Sequence, residues 1–191
     1  MSETPLGKLI KKTLSGPSDR ELVAQKLYAA VIAQARRREF FTDYGVPDSV
    51  DGRFEMVALH AFLLFHRLKE QGEKSAAVCQ TVYDLMFRDM DASVRQLGAG
   101  DLGVGKRVRF MTEAMGGRIK AYEAALTGKG QELEAALRRN VFGTSEPGRE
   151  ASGRMTEYVR NANSNLATQS VDAMMKGLVH FPSVAQAPLD I

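Results

Sequence analysis

The chain has no tryptophan, a single cysteine and only three histidines in 191 residues. One thiol excludes an internal disulfide and points to a reducing compartment. Cys79 falls on an apolar stripe beside Val78 and Val82, the setting of a structural thiol rather than an activated nucleophile. His60 and His66 are six positions apart, so on a helix they point about 120° away from each other, whereas a shared metal needs a spacing of three or four. No segment has the roughly 18 consecutive apolar residues of a membrane span; the best run, Met56 to Phe65, is interrupted by His60. The N-terminus lacks a secretory apolar core with a cleavage site, and it is too short and too poor in arginine for an organelle presequence, so a mature cytoplasmic chain is expected. Alternating strand patterns are missing as well, and a net charge of +3 makes no strong demand for nucleic acid.

What is present reads as helices. Hydrophobic residues make up 44% and charged residues 26%, ordinary values for a chain long enough to bury a real core. Residues 1–19 are expected to form a basic, flexible N-terminal segment, in which Leu6, Leu9, Ile10 and Leu14 alternate with lysines at helical spacing. Ser15 to Asp19 then offers caps for a helix reaching about Arg37, with Leu27, Ala30, Val31 and Gln34 inward. Phe40 to Gly52 reads as an ordered corner, since Pro47 pushes Val46 out of helical geometry. From Arg53 to Glu70 the apolar residues recur at three and four and spread nearly all round, which places this helix in the middle of the fold. Helices at about Lys74 to Leu97, Leu102 to Leu126, Gln131 to Val141 and Met155 to Leu178 complete the set. Gly116 and Gly117, inside the Leu102 to Leu126 stripe, suggest a close backbone approach or a bend. The predicted fold is all-α: one bundle of about six or seven helices over residues 20–180, followed by an extended or disordered tail over 181–191.

The stretch GAGDLGVGK, Gly98 to Lys106, nearly satisfies two nucleotide-binding patterns. Gly98, Gly100 and Gly103 spell G-x-G-x-x-G, but a helix precedes them where a dinucleotide site needs a strand. Gly100, Gly105 and Lys106 spell the phosphate loop, but Arg107 stands where a hydroxyl must hold magnesium. A tight interhelical turn from Gly98 to Gly105, presenting Asp101 and Lys106 on the surface, is the expectation instead. The acidic group Asp84, Asp89 and Asp91 does not converge on one helix face, and Arg88 and Arg95 stand ready as ion-pair partners. No metal, cofactor or small-molecule substrate is expected. Two basic clusters remain, Arg36 to Arg38 and Lys106, Arg107, Arg109, Arg118 and Lys120, suited to a solvated face or an acidic partner.

Three ordered motifs then match something known. GVPD-x-x-x-GRF from Gly45, MFRDMD from Met86 and GDL-x-VGK from Gly100 resemble the ubiquinol-cytochrome c chaperone family, and the similarity runs from Leu27 to Leu126. The chain departs from the family at Phe40-Phe41, Gln96-Leu97 and Met115-Gly116. The resemblance implies a non-enzymatic assembly factor for the respiratory cytochrome bc complex, with cytochrome b or its translation machinery, the ribosome, as the partner. DNA is not a partner in this reading, and a peripheral contact with the inner face of the membrane is compatible with it. On the motif positions it implies a partner-binding set of Asp48, Arg53, His60, Arg88, Asp89, Asp91, Arg95, Asp101, Lys106 and Arg118. The neighbouring aromatics Phe40, Phe41 and Tyr44 and the basic Arg107 and Arg109 join that set. Gly45, Pro47, Gly52, Gly98, Gly100, Gly103 and Gly105 are the turn-forming residues. A helical protein binding or transforming a quinone, haem or lipid is the alternative, motivated by nine methionines and the long apolar helix.

Overall fold

The computed structural model describes residues 18–96, 101–128, 131–143 and 145–185, with the backbone alone at 94, 101–104, 107 and 108. Helix α1, Asp19–Ala35, starts at a reciprocal cap: the Glu21 amide donates to Ser18 Oγ at 3.3 Å, and the Ser18 amide donates to Glu21 Oε2 at 2.8 Å. Its buried side is Ala24, Leu27, Val31 and Ala35. Where the sequence suggested a loop, a single helical turn, α2 (Glu39–Thr42), follows, and the corner proper spans 43–49.

Helix α3, Val50–Leu68, is the axle of the bundle. Every residue from Phe54 to Leu64 is buried, and the helix packs against α1, α4 (Glu73–Gln96), α5 (Asp101–Thr127) and α7 (Arg149–Thr168). That matches its all-round apolar pattern, because a helix with no polar face has no side to give to water. Helix α6, Gln131–Asn140, packs between α5 and α7. Among the described residues all regular structure is helical.

Several expectations are corrected. The last helix ends at Thr168 rather than Leu178: Gln169 turns extended, and Ser170 Oγ accepts from the Ala173 amide to cap a separate turn, α8 (Val171–Met174). Residues 178–185 beyond it carry no regular structure yet dock on the bundle, with Phe181 against the His60 ring at 5.2 Å and Val184 buried. Gly103 and Gly105 lie inside α5 rather than in a turn; Gly98 and Gly100 fall outside the described residues, as does the N-terminal amphipathic segment. Gly52 belongs to the first turn of α3 rather than to the corner. A β-carbon there would sit 2.0 Å from the Pro47 carbonyl oxygen, so only glycine lets the corner fold back on the helix start.

Gly116 and Gly117 allow no close approach within the fold. Both are exposed, and a β-carbon at either would meet nothing within 4 Å. Replacing each by alanine is therefore expected to stabilise the chain by about 0.5–1 kcal/mol, raising Tm by roughly 1–4 °C per site in thermal denaturation. A fall in Tm would show that the glycines serve the fold.

Candidate partner-binding site

The motif residues sort into an interior group and a surface group. The interior group centres on His60, fully buried in α3. Its Nδ1 lies 2.7 Å from the Met56 carbonyl, which can only accept, so Nδ1 carries the proton and Nε2 is bare. Nε2 then accepts from the Tyr158 hydroxyl at 2.7 Å, and that oxygen accepts from Gln34 Nε2 at 2.9 Å. The Gln34 amide also donates to the Pro182 carbonyl at 2.9 Å. One chain of donors and acceptors thus joins α1, α3, α7 and the tail. Phe40 packs edge-on to Tyr158 at 4.9 Å and against His60 at 5.4 Å, with Tyr44 5.6 Å from Phe40. Burial holds the imidazole neutral and pushes its pKa down from 6.5 to about 4.

Three of the expected contact residues lie in the interior. His60 and Phe40 are 0% exposed and Tyr44 3%, so they shape the interior and offer nothing to a partner in this conformation. Phe41 is half-buried and packs against the core. Arg118 is also withdrawn. It donates through Nε to Glu55 Oε2 at 2.6 Å and through a second nitrogen to Glu55 Oε1, with side-chain exposures of 14% and 9%. Its guanidinium lies 5.5 Å from the centre of the Phe54 ring. Burial raises the Glu55 pKa, and the Arg118 guanidinium opposes that rise.

The corner motif is a folding device with a charged rim. Gly45 adopts φ +71°, Ser49 Oγ accepts from the Gly52 amide at 3.1 Å, and Arg53 Nε donates to Asp48 at 2.6 Å across the helix start. Arg154 of α7 donates to the Asp43 carbonyl and lies 5.9 Å from the Tyr44 ring centre, pinning the corner to α7. Asp48 and Arg53 remain exposed. In the second motif, Asp89 accepts from the Tyr28 hydroxyl at 2.9 Å and so ties α4 to α1, while Asp91 pairs with Arg95 one turn on at 2.7 Å. Arg88 is exposed. In α5 Lys106 is exposed, and Arg109 is exposed and paired with Glu113 at 2.9 Å. The side chains of Asp101 and Arg107 lie outside what is described. The outward set is therefore Asp48, Arg53, Arg88, Arg95, Lys106 and Arg109, spread over the corner and the α4–α5 pair.

Sequence reading missed Glu55, Tyr158, Gln34 as a ligand of Tyr158, Tyr28 and Arg154. One of these left a trace: Glu55 breaks the apolar spacing between Phe54 and Met56, and its partner Arg118 sits within the stripe of Met111, Met115 and Tyr122. A lone charge inside each of two apolar faces is the mark of a buried pair. A cleft of about 420 Å³ opens elsewhere, between the end of α3 and α4, lined among others by Phe65, Leu68, Ala76, Cys79 and Tyr83. It includes none of the motif residues. Burial raises the Cys79 pKa to about 11, which leaves the thiol protonated and unreactive at neutral pH. Among the described residues no group of three or more His, Cys, Asp or Glu is placed to hold a metal ion, and no helix is long and apolar enough to cross a membrane.

Residues 42–181 match the ubiquinol-cytochrome C chaperone family. The chain belongs to that family. It resembles the crystal structure of the Cbp3 homolog from Brucella abortus with a TM-score of 0.78 and 34% identity, covering 95% of this chain and 98% of that one. It is 24% identical over 173 residues to ubiquinol-cytochrome c reductase complex assembly factor 1 of Mus musculus, covering 90% of this chain and 59% of the relative. The Xenopus laevis assembly factor is 24% identical over 160 residues, covering 83% of this chain and 80% of that one. The chain thus spans about three fifths of the mouse relative. Family membership agrees with the three motifs, each of which the structure assigns a place: corner, α4 and the start of α5.

Two experiments probe the interior. The unfolded chain takes up a proton at His60 near pH 6.5 and the native chain resists it down to about pH 4, so the stability gained from burying the neutral ring is complete above pH 6.5. It is lost progressively as pH falls towards 4, by an amount on the order of 3 kcal/mol, read as a falling urea midpoint. Glu55, whose pKa is raised, acts in the opposite direction over part of this window, so the slope is taken as the difference from His60→Gln. An unchanged slope in that variant would contradict the assignment. Arg118→Met alone is expected to cost about 3–5 kcal/mol by stranding the Glu55 carboxylate, and the double variant Glu55→Leu with Arg118→Met to recover most of it in chemical denaturation.

Proposed function

We propose that this chain is a non-enzymatic assembly chaperone of the respiratory cytochrome bc complex, acting on cytochrome b or its translation machinery from the cytoplasmic side with a peripheral membrane contact. The observation that carries the reading is the family match over residues 42–181, supported by the likeness to the Brucella abortus chain across nearly its whole length. The distribution of motif residues also supports it. Their interior members are consumed in fixing the bundle, and the outward members carry charges of both signs, which suits recognition of a protein partner rather than a reaction centre. The interior titratable groups His60 and Glu55 are both engaged, the imidazole with Met56 and Tyr158 and the carboxylate with Arg118.

Deleting the gene is expected to deplete the assembled cytochrome bc complex, measured by native gel and by b-haem absorbance in membranes. Normal levels of complex in the deletion strain would end this reading. A crosslinked pull-down from native membranes is expected to recover cytochrome b. Sedimentation with ribosomes at two salt concentrations separates the ribosomal contact, since a basic surface meeting RNA weakens steeply as salt rises.

A further inference from the structure

Helix α5 lies at the margin of the bundle, packed against α3, α4 and α6. Its inner face is Met111, Met115 and Tyr122, all buried. Its outer face is the stripe Lys106, Phe110, Glu113, Gly117 and Lys120, spaced by four, three, four and three, and every member is exposed. Phe110 is 69% exposed, more than any other large apolar side chain described. Gly116 and Gly117 leave an open notch on the same side, which the fold itself does not use. We propose that this face docks an amphipathic helix of another protein, with acidic residues flanking its apolar stripe.

The geometry fits that occupant. Phe110 and Gly117 are seven residues apart, hence on one face and about 10 Å from each other, so a partner helix meets an aromatic knob and, two turns on, a place where backbones can approach closely. Helix-in-groove recognition uses anchors at such spacings. Lys106, Arg109 and Lys120 outnumber Glu113 on and beside the stripe, which favours a partner of negative charge. A lipid surface fits less well, because the notch offers it no apolar area and Phe110 stands alone. The proposal goes beyond the assembly reading and does not require that cytochrome b be the client.

The test places a photoreactive phenylalanine analogue at position 113 of the full chain, with position 161 on the exposed side of α7 as control, in native extract containing membranes. Crosslinked peptides are sequenced by mass spectrometry. The expected product is a peptide of a different protein with an acidic amphipathic pattern, whose synthetic copy competes for the crosslink. Its yield is expected to drop roughly tenfold in Phe110→Ser without loss of Tm, and to fall in Gly117→Ala although that variant is more stable. Crosslinks to residues 1–17, to a second copy or to lipid, no excess over position 161, or a yield unchanged in both variants would each overturn the proposal. Loss of cytochrome b from the pull-down with the crosslink intact would remove only the client reading.

Discussion

The hydrogen bond from Tyr158 to His60 is the constraint on which the rest of the bundle depends. It lies in a fully buried setting, where a polar group left unpaired costs far more than the bond contributes. Every donor and acceptor in the chain from Met56 through His60 and Tyr158 to Gln34 and Pro182 is matched in direction. One register of α1 against α3 and α7 satisfies it, and sliding any of these helices by a turn leaves a buried imidazole or hydroxyl orphaned. Apolar packing alone tolerates such slips more readily, because hydrophobic contacts are not directional. The network converts a generic helical bundle into one arrangement.

The Glu55–Arg118 pair performs a related task for α5. A buried ion pair contributes little net stability against an apolar alternative, but a wrong pairing leaves a bare charge in the core. It therefore fixes how α5 crosses α3 rather than strengthening the crossing. With α5 set in this way, its outer stripe faces away from the core. The glycines there give up helical stability that the fold could have kept, which separates surface requirements from folding requirements on a single helix.

Helix positions were largely legible in the sequence, and the reasons are local. The stripe of α5, the all-round apolar run of α3 and the cap at Ser18 each depend on residues within a few turns of one another. The failures came where distant elements decide. The break at Gln169 and Ser170 is invisible to periodicity because Val171 and Met174 continue the apolar spacing, whereas the tail must turn there to dock Phe181 against His60. Gly116 and Gly117 looked like packing glycines, yet whether any backbone lies opposite them depends on neighbours that spacing does not specify. His60 belonged to a motif pattern, and Phe40 and Tyr44 were its aromatic neighbours; neither kind of signal says which way a side chain faces.

The sequence by itself determined an all-helical chain, the central place of α3, a lone thiol unsuited to disulfide chemistry, and the family, because composition, periodicity and ordered motifs are properties of the covalent chain. Tertiary structure alone decided which motif residues are spent inside and which are offered outside. That division depends on hydrogen bonds and ion pairs between residues about 60 to 150 positions apart, as in Glu55 with Arg118 or Gln34 with Pro182. No local pattern carries such pairings, since they exist only once desolvation makes an unmatched charge or hydroxyl too costly to leave in the core.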